Sequence, residues 1–141
     1  MKQYTGTKVV NAKPMTRQEY NDFRGWQVPE DENPTDEGYL VEYTDGGKPN
    51  TSDYDGYVSW SPKAIFEQSY LPSSHPIDRM AIENMQLLER LKALDTLLEK
   101  PQPEFISANQ WRLLHDQRTY MKAYFIVLNE RIEDMAAQAG L

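Results

Sequence analysis

The stretches IDRMAIENMQLLERLKALDTLL (residues 77–98) and WRLLHDQRTYMKAYFIVLNERIEDM (residues 111–135) decide how this chain folds. In the first, Ile77, Met80, Asn84, Leu87, Leu91, Leu94 and Leu98 step by alternating threes and fours. In the second, Trp111, Leu114, Arg118, Met121, Phe125, Leu128, Ile132 and Met135 do the same. That spacing places one residue on the same side at nearly every turn of an α-helix, so each stretch predicts a helix with a single packing seam. Pro101-Gln102-Pro103 ends the first helix, and Ser107 followed by Gln110 has the spacing of a capping box for the second. A connection of about six residues folds two such helices into an antiparallel hairpin. The helices are expected over about 76–100 and 107–137.

Upstream the composition changes. Residues 1–70 hold six of the seven Gly and seven of the nine Tyr, against a helix-rich segment over 71–141. Tyr4 to Ala12 suits a strand that Pro14 ends. Thr16 with Glu19 caps a short helix, which Gly25 closes. Tyr39, Val41 and Tyr43 alternate with Leu40, Glu42 and Thr44, the period of a strand. Asp45-Gly46-Gly47 is turn chemistry, and Gly56 to Ser61 returns as the second arm of a β-hairpin. Ser61-Pro62 starts a short helix through Tyr70, with Pro at its first position. The expected class is α+β: a small antiparallel sheet with short helices over 1–70, then the helical hairpin over 71–141.

Charge and composition narrow the function. The chain has 141 residues, with 15 Lys plus Arg against 22 Asp plus Glu, a net charge of -7. Such a balance repels the phosphate backbone of DNA or RNA polymers. There is no Cys and there are two His, so thiolate metal sites and disulfides are excluded and a His-rich metal site is not expected. No apolar run approaches the roughly 20 residues that span a bilayer, and a soluble, unexported protein is expected. His75 and His115 lack the neighbours of a nucleophilic site, and Asp45-Gly46-Gly47-Lys48 lacks the full phosphate-loop pattern. The acidic run Glu30-Asp31-Glu32, flanked by Pro29 and Pro34, reads as a solvated loop. Nothing in this inventory argues for catalysis, and no cofactor is expected.

The polar seam positions offer a binding site. With Leu98 near Gln110, paired positions add to about 208, which sets Asn84 opposite Ala123 or Tyr124 and Arg118 opposite Arg90, within about two turns of one another. Gln86, Arg90, Gln117, Lys122 and Tyr124 sit around them, and Arg112 is a further candidate. A guanidinium fork matches phosphate oxygens, an amide reads a base edge, and a phenol ring offers a stacking face, so the belt suits a nucleotide. The alternative is structural: a seam Asn fixes register, and a seam Arg reaches out to Glu89 or Asp116. Trp60 and Lys63, at the exit of the N-terminal hairpin, are further candidate contributors. Trp26, Tyr39, Tyr43, Tyr57 and Trp60 could stack a ligand or form the core of the small sheet.

Two stretches carry a family resemblance. Lys13 to Asn21, Arg24-Gly25-Trp26, Asp36 to Tyr43, Asp45 to Asn50 and Gly56 to Lys63 resemble a module common in tailed-phage and prophage proteins. Leu87 to Leu94 and Leu113 to Tyr124 resemble the helical hairpin of the Thoeris anti-defence family. The resemblance implies a non-enzymatic phage sponge, acting in the cytoplasm of the infected bacterium. It would bind cyclic ADP-ribose isomers and, as in some relatives, cyclic oligonucleotides of the CBASS pathway. It also implies self-association as dimers or larger oligomers. Apolar residues outside the seams, Ile82, Leu88, Leu113, Tyr120 and Ile126, point the same way, since a lone hairpin cannot cover both stripes. The rival reading is an acidic phage protein that docks on and inhibits a host protein. Region by region, 7 basic against 12 acidic residues give -5 for 1–70, and 8 against 10 give -2 for 71–141, so the long helices carry no phosphate-like acidic stripe.

Overall fold

The computed structural model describes residues 1–141 and divides into two units, Met1–Tyr70 and Leu71–Leu141. The fold is α+β.

In the first unit, strands β1 (Val10–Pro14), β2 (Gly38–Tyr43) and β3 (Tyr57–Pro62) form an antiparallel sheet in that order, with α1 (Arg17–Arg24) and α2 (Lys63–Ser69) beside it. Thr16 accepts from the Glu19 backbone N–H and the Glu19 carboxylate accepts from the Thr16 N–H, the reciprocal cap that the spacing implies. Gly25 ends the helix at φ 71°, a left-handed conformation that glycine adopts without steric cost. Tyr20 of α1 packs with Leu40 and Val58, flanked by Met15, Phe23, Tyr54 and Trp60. On the opposite face Tyr39 stacks on Phe66 of α2 at 4.2 Å. Alternate residues of β2 thus bury in opposite directions, and Leu40 and Val41 are both inaccessible.

Two expectations are corrected at the strand ends. The first strand begins at Val10, whose partner Tyr43 is the last residue of β2, so the residues from Tyr4 have no ladder to join. Pro14 is the final member of that strand, tolerated because β1 is an edge. Pro62 likewise ends β3 opposite Gly38 and precedes the helix, because Lys63 donates its N–H to the Glu37 carbonyl and prolongs the ladder.

In the second unit, α3 (Pro76–Leu98) and α4 (Ala108–Gln138) lie antiparallel. His75 accepts from the Ile77 N–H through Nδ1, Pro76 occupies the first turn, and Ser107 accepts from the Gln110 N–H. Every seam position named above is buried or half-buried, with Met80, Leu91, Leu94 and Leu128 at the centre. The register differs from expectation. The two polar contacts inside the seam, Asn84 with Asn129 and Arg118 with Asp95, join positions that add to 213, whereas the contact of Tyr124 with Glu83 at the hairpin edge joins positions that add to 207, close to the expected 208. Arg118 therefore meets a carboxylate rather than Arg90, and Asn84 meets an amide rather than Ala123 or Tyr124. The reason is electrostatic as well as geometric: the 208 register would oppose two guanidinium groups, whereas this one gives each polar interruption a polar partner. The two interruptions lie 11 residues apart along α3, about three turns, so they do not share one belt.

Candidate functional site

The helical hairpin sorts the residues chosen from sequence into three places. Arg118 and Asn84 lie in the seam. The Arg118 guanidinium pairs with Asp95 and is half-buried. Asn84 is buried, and its amide N–H donates to Asn129 Oδ1 at 2.6 Å while its own Oδ1 has no partner. Neither Glu89 nor Asp116 takes the Arg118 guanidinium.

Gln117 and Tyr124 lie on one edge of the hairpin. The Tyr124 hydroxyl donates to Glu83 Oε1 across the two helices. One heptad along that edge, Arg90 follows Glu83 on α3 and Gln117 precedes Tyr124 on α4, which sets Arg90 and Gln117 opposite one another. Arg90 is exposed and enters no ion pair. The hydrogen bond to Glu83 raises the Tyr124 pKa above 10.0, burial adds to the shift, and Arg131 opposes it, so the phenol stays neutral at physiological pH. Beside this edge runs an open groove on α4 of about 600 Å³, lined by Leu113, Asp116, Gln117, Tyr120, Met121 and Tyr124. Two aromatic faces, a thioether and an amide form a surface on which a planar heterocycle can stack.

Arg112 and Lys122 point elsewhere. Arg112 is exposed and held by Asp116 at 3.2 Å and Asn109 at 2.9 Å. Lys122 follows Arg118 by one helical turn and lies on the flank away from Tyr124, exposed to solvent.

In the N-terminal unit both candidates are engaged. Trp60 donates its indole N–H to the Met15 carbonyl at 2.8 Å and carries the Arg17 guanidinium over its ring at 4.3 Å. Arg17 is itself paired with Glu32 at 2.9 Å. Lys63 pairs with Glu37 at 3.0 Å, and that hydrogen bond raises its pKa above the ordinary value. The groove beside Lys63 is lined by Glu19, Glu37 and Glu67, a charge balance that disfavours a phosphate. Of the aromatic set, Tyr39 is covered by Phe66, and Trp26 carries the Arg24 guanidinium at 4.2 Å.

Three functional-site features escaped sequence reasoning. Glu83, Asp95 and Asn129 are the partners of Tyr124, Arg118 and Asn84, and the hairpin register alone identifies them. Tyr120 was visible as an apolar residue outside the seam, but its place in the groove follows only from the helix face that α3 leaves open.

The comparisons bear on this same unit. Residues 74–134, nearly all of α3 and α4, match the family model described as Sequestin. The family's name denotes sequestration. No curated protein and no solved structure gives a significant match to the chain. No helix is long and apolar enough to cross a membrane.

Proposed function

We propose that this protein is a phage anti-defence sponge that binds a cyclic nucleotide immune signal and withholds it without cleavage. Cyclic ADP-ribose isomers are the first candidates and cyclic oligonucleotides the second. The observation that carries the reading is that the Sequestin match falls on the helices bearing the Arg90–Gln117–Tyr124 edge. In this reading the groove on α4 receives the base, Tyr124 and Tyr120 supply stacking faces, Gln117 reads a polar base edge, and Arg90 meets a phosphate. Arg118 and Asn84 act on the site through the register they impose, and Arg112 and Lys122 add positive charge on the other flanks. Trp60 and Lys63 serve the N-terminal scaffold. The ligand leaves unchanged, and sequestration works by mass action: sites in excess of the signal with a Kd of about 1 nM, near -12 kcal/mol, draw the free concentration below what a host effector requires. The setting would be the cytoplasm of the infected bacterium.

The test is retention followed by recovery. Protein is mixed with cyclic ADP-ribose isomers and cyclic di- and trinucleotides at micromolar concentration, filtered, then heated to release what it holds. Depletion with intact recovery is expected, together with a loss of at least tenfold in affinity for Arg90→Ala. Recovery of cleaved product would replace the sponge by a hydrolase. No depletion of any nucleotide would favour the rival, an acidic protein that inhibits a host protein.

A further inference from the structure

The acidic run Glu30-Asp31-Glu32 stays in solvent, as its flanking prolines imply, but it is not free. The segment from Trp26 to Glu37 is pinned along the start of α1, whose first N–H groups need acceptors. Arg17 donates its N–H to the Asp36 carbonyl at 2.9 Å, and Gln18 donates its own to the Pro34 carbonyl at 3.0 Å. The Arg17 guanidinium pairs with Glu32 at 2.9 Å, and the Glu32 N–H reaches the Pro29 carbonyl at 3.0 Å. At the other end Gly25 turns the chain so that the Trp26 N–H meets the Asn21 carbonyl at 2.8 Å. A surface fixed at both ends and in the middle loses little conformational freedom when something binds to it.

Between this segment and α1 lies a groove of about 480 Å³. Trp26, 52% exposed, forms an apolar strip in it with Val28 and Pro29, while Asp22 and Glu30 contribute carboxylates and no Lys or Arg lines it. Arg17 offsets Glu32, but Asp22 and Glu30 enter no ion pair, and Asp22 only accepts from the Gln18 amide at 2.8 Å. Arg24 lies over one face of the Trp26 ring at 4.2 Å without lining the groove.

We propose that this groove docks a lysine- or arginine-bearing segment of another protein. Such a side chain carries a cationic head on a methylene stem, so it needs an apolar strip and a carboxylate within one short reach, and the groove sets both side by side. Charge selects the same occupant. The unit of residues 1–70 carries -5, and two carboxylates in the groove lack counter-ions, so an acidic segment, a nucleic acid or an anionic membrane is repelled. A bare metal ion does not fit, since no three acidic or His groups converge to hold one. An exposed Trp held in place is the kind of residue that dominates binding energy once a partner covers it. The groove lies outside the segment that matches the Sequestin model, so docking here and sequestration by the helical hairpin stand or fall separately.

Full-length protein is titrated with octalysine while the indole N–H signals of its three Trp are followed by NMR. The Trp26 signal, identified by its loss in Trp26→Phe, should shift and saturate, and those of Trp60 and Trp111 should not. Asp22→Asn combined with Glu30→Gln should weaken binding about fivefold or more at unchanged Tm. Asp53→Asn combined with Asp55→Asn removes the same charge from exposed carboxylates in the β2–β3 loop and should change affinity by less than about twofold. Equal weakening by the two pairs would reduce the effect to net charge and overturn the site, as would an unmoved Trp26 signal. Spermine or an uncharged proline-rich peptide shifting Trp26 at the same concentration as octalysine would overturn the assignment of the groove to a cationic protein segment.

Discussion

Replacing Arg118 by Ala tests the account of the hairpin most directly. Its guanidinium pairs with Asp95, and the two side chains are 39% and 30% exposed. A fully exposed pair contributes about 0.2–1 kcal/mol, and breaking a fully buried one costs about 3–5 kcal/mol. At roughly one-third exposure, Asp95 regains most but not all of its hydration when Arg118 is removed. Loss of the Arg118 methylenes from the seam adds to the cost. A destabilisation of about 1–2 kcal/mol follows, which for a unit of this size lowers Tm by roughly 5–15 °C. Thermal unfolding followed at 222 nm, where the long helices dominate, measures it. The full experiment is a cycle of Arg118→Ala, Asp95→Ala and the double variant, with an expected coupling of about 1 kcal/mol between the two sites. Coupling within about 0.3 kcal/mol of zero would refute the reasoning, most clearly if Arg118→Ala also kept the wild-type Tm and lost nucleotide retention. The guanidinium would then serve the ligand and not the register.

Replacing both Asn84 and Asn129 by Leu removes a part-buried amide pair with one unpartnered oxygen, so the hairpin should gain about 1 kcal/mol while losing the polar contact that fixes its register. Higher Tm with broadened distances between spin labels on α3 and α4 is the expected result, and unchanged distances would assign the register to Arg118 and Asp95 alone. Gly38→Ala should destabilise the N-terminal unit by roughly 3 kcal/mol, because a Cβ there would lie 2.4 Å from the Ser61 carbonyl oxygen and from the Trp60 ring. A loss under about 1 kcal/mol in urea denaturation would contradict that contact. Glu42 accepts from the Gly56 backbone N–H at 3.0 Å and the Asn11 amide at 3.2 Å, and these bonds hold its pKa below 4.5. A carboxylate whose pKa falls on folding stabilises above its unfolded value and loses that contribution as pH falls through the folded one. Wild type should therefore exceed Glu42→Gln in urea midpoint at pH 7 and lose the advantage by pH 3; a difference independent of pH would exclude this role.

Much of the fold is legible in local sequence. The Thr16–Glu19 cap, the left-handed Gly25 and the paired seams depend on residues within four positions of one another, where bond geometry and helix periodicity leave little choice. The same locality explains which details were not legible. Where β1 begins depends on where β2 ends, since the tail from Tyr4 has the composition of a strand but no partner opposite it. Asn50 lies in the loop between β2 and β3, and its side chain bonds both the N–H and the carbonyl of Val58 at 2.8 Å, closing the free edge of β3 as a further strand would, a role no local pattern announces.

The candidate site shows the same division. Sequence alone determined that the hairpin carries two polar interruptions and a supply of guanidinium, amide and phenol groups, because heptad spacing states which residues share a face. Tertiary structure decided which of them are spent on folding. A register shift of a few residues rotates nothing out of the seam, but it changes every partner across it. Inside the seam, where the polar contacts add to 213, Asp95 and Asn129 take up Arg118 and Asn84; at the edge Tyr124 takes Glu83, and Arg90 and Gln117 are left exposed. That choice rests on the cost of opposing like charges and burying unpaired polar groups, a sum over both helices that neither helix contains alone.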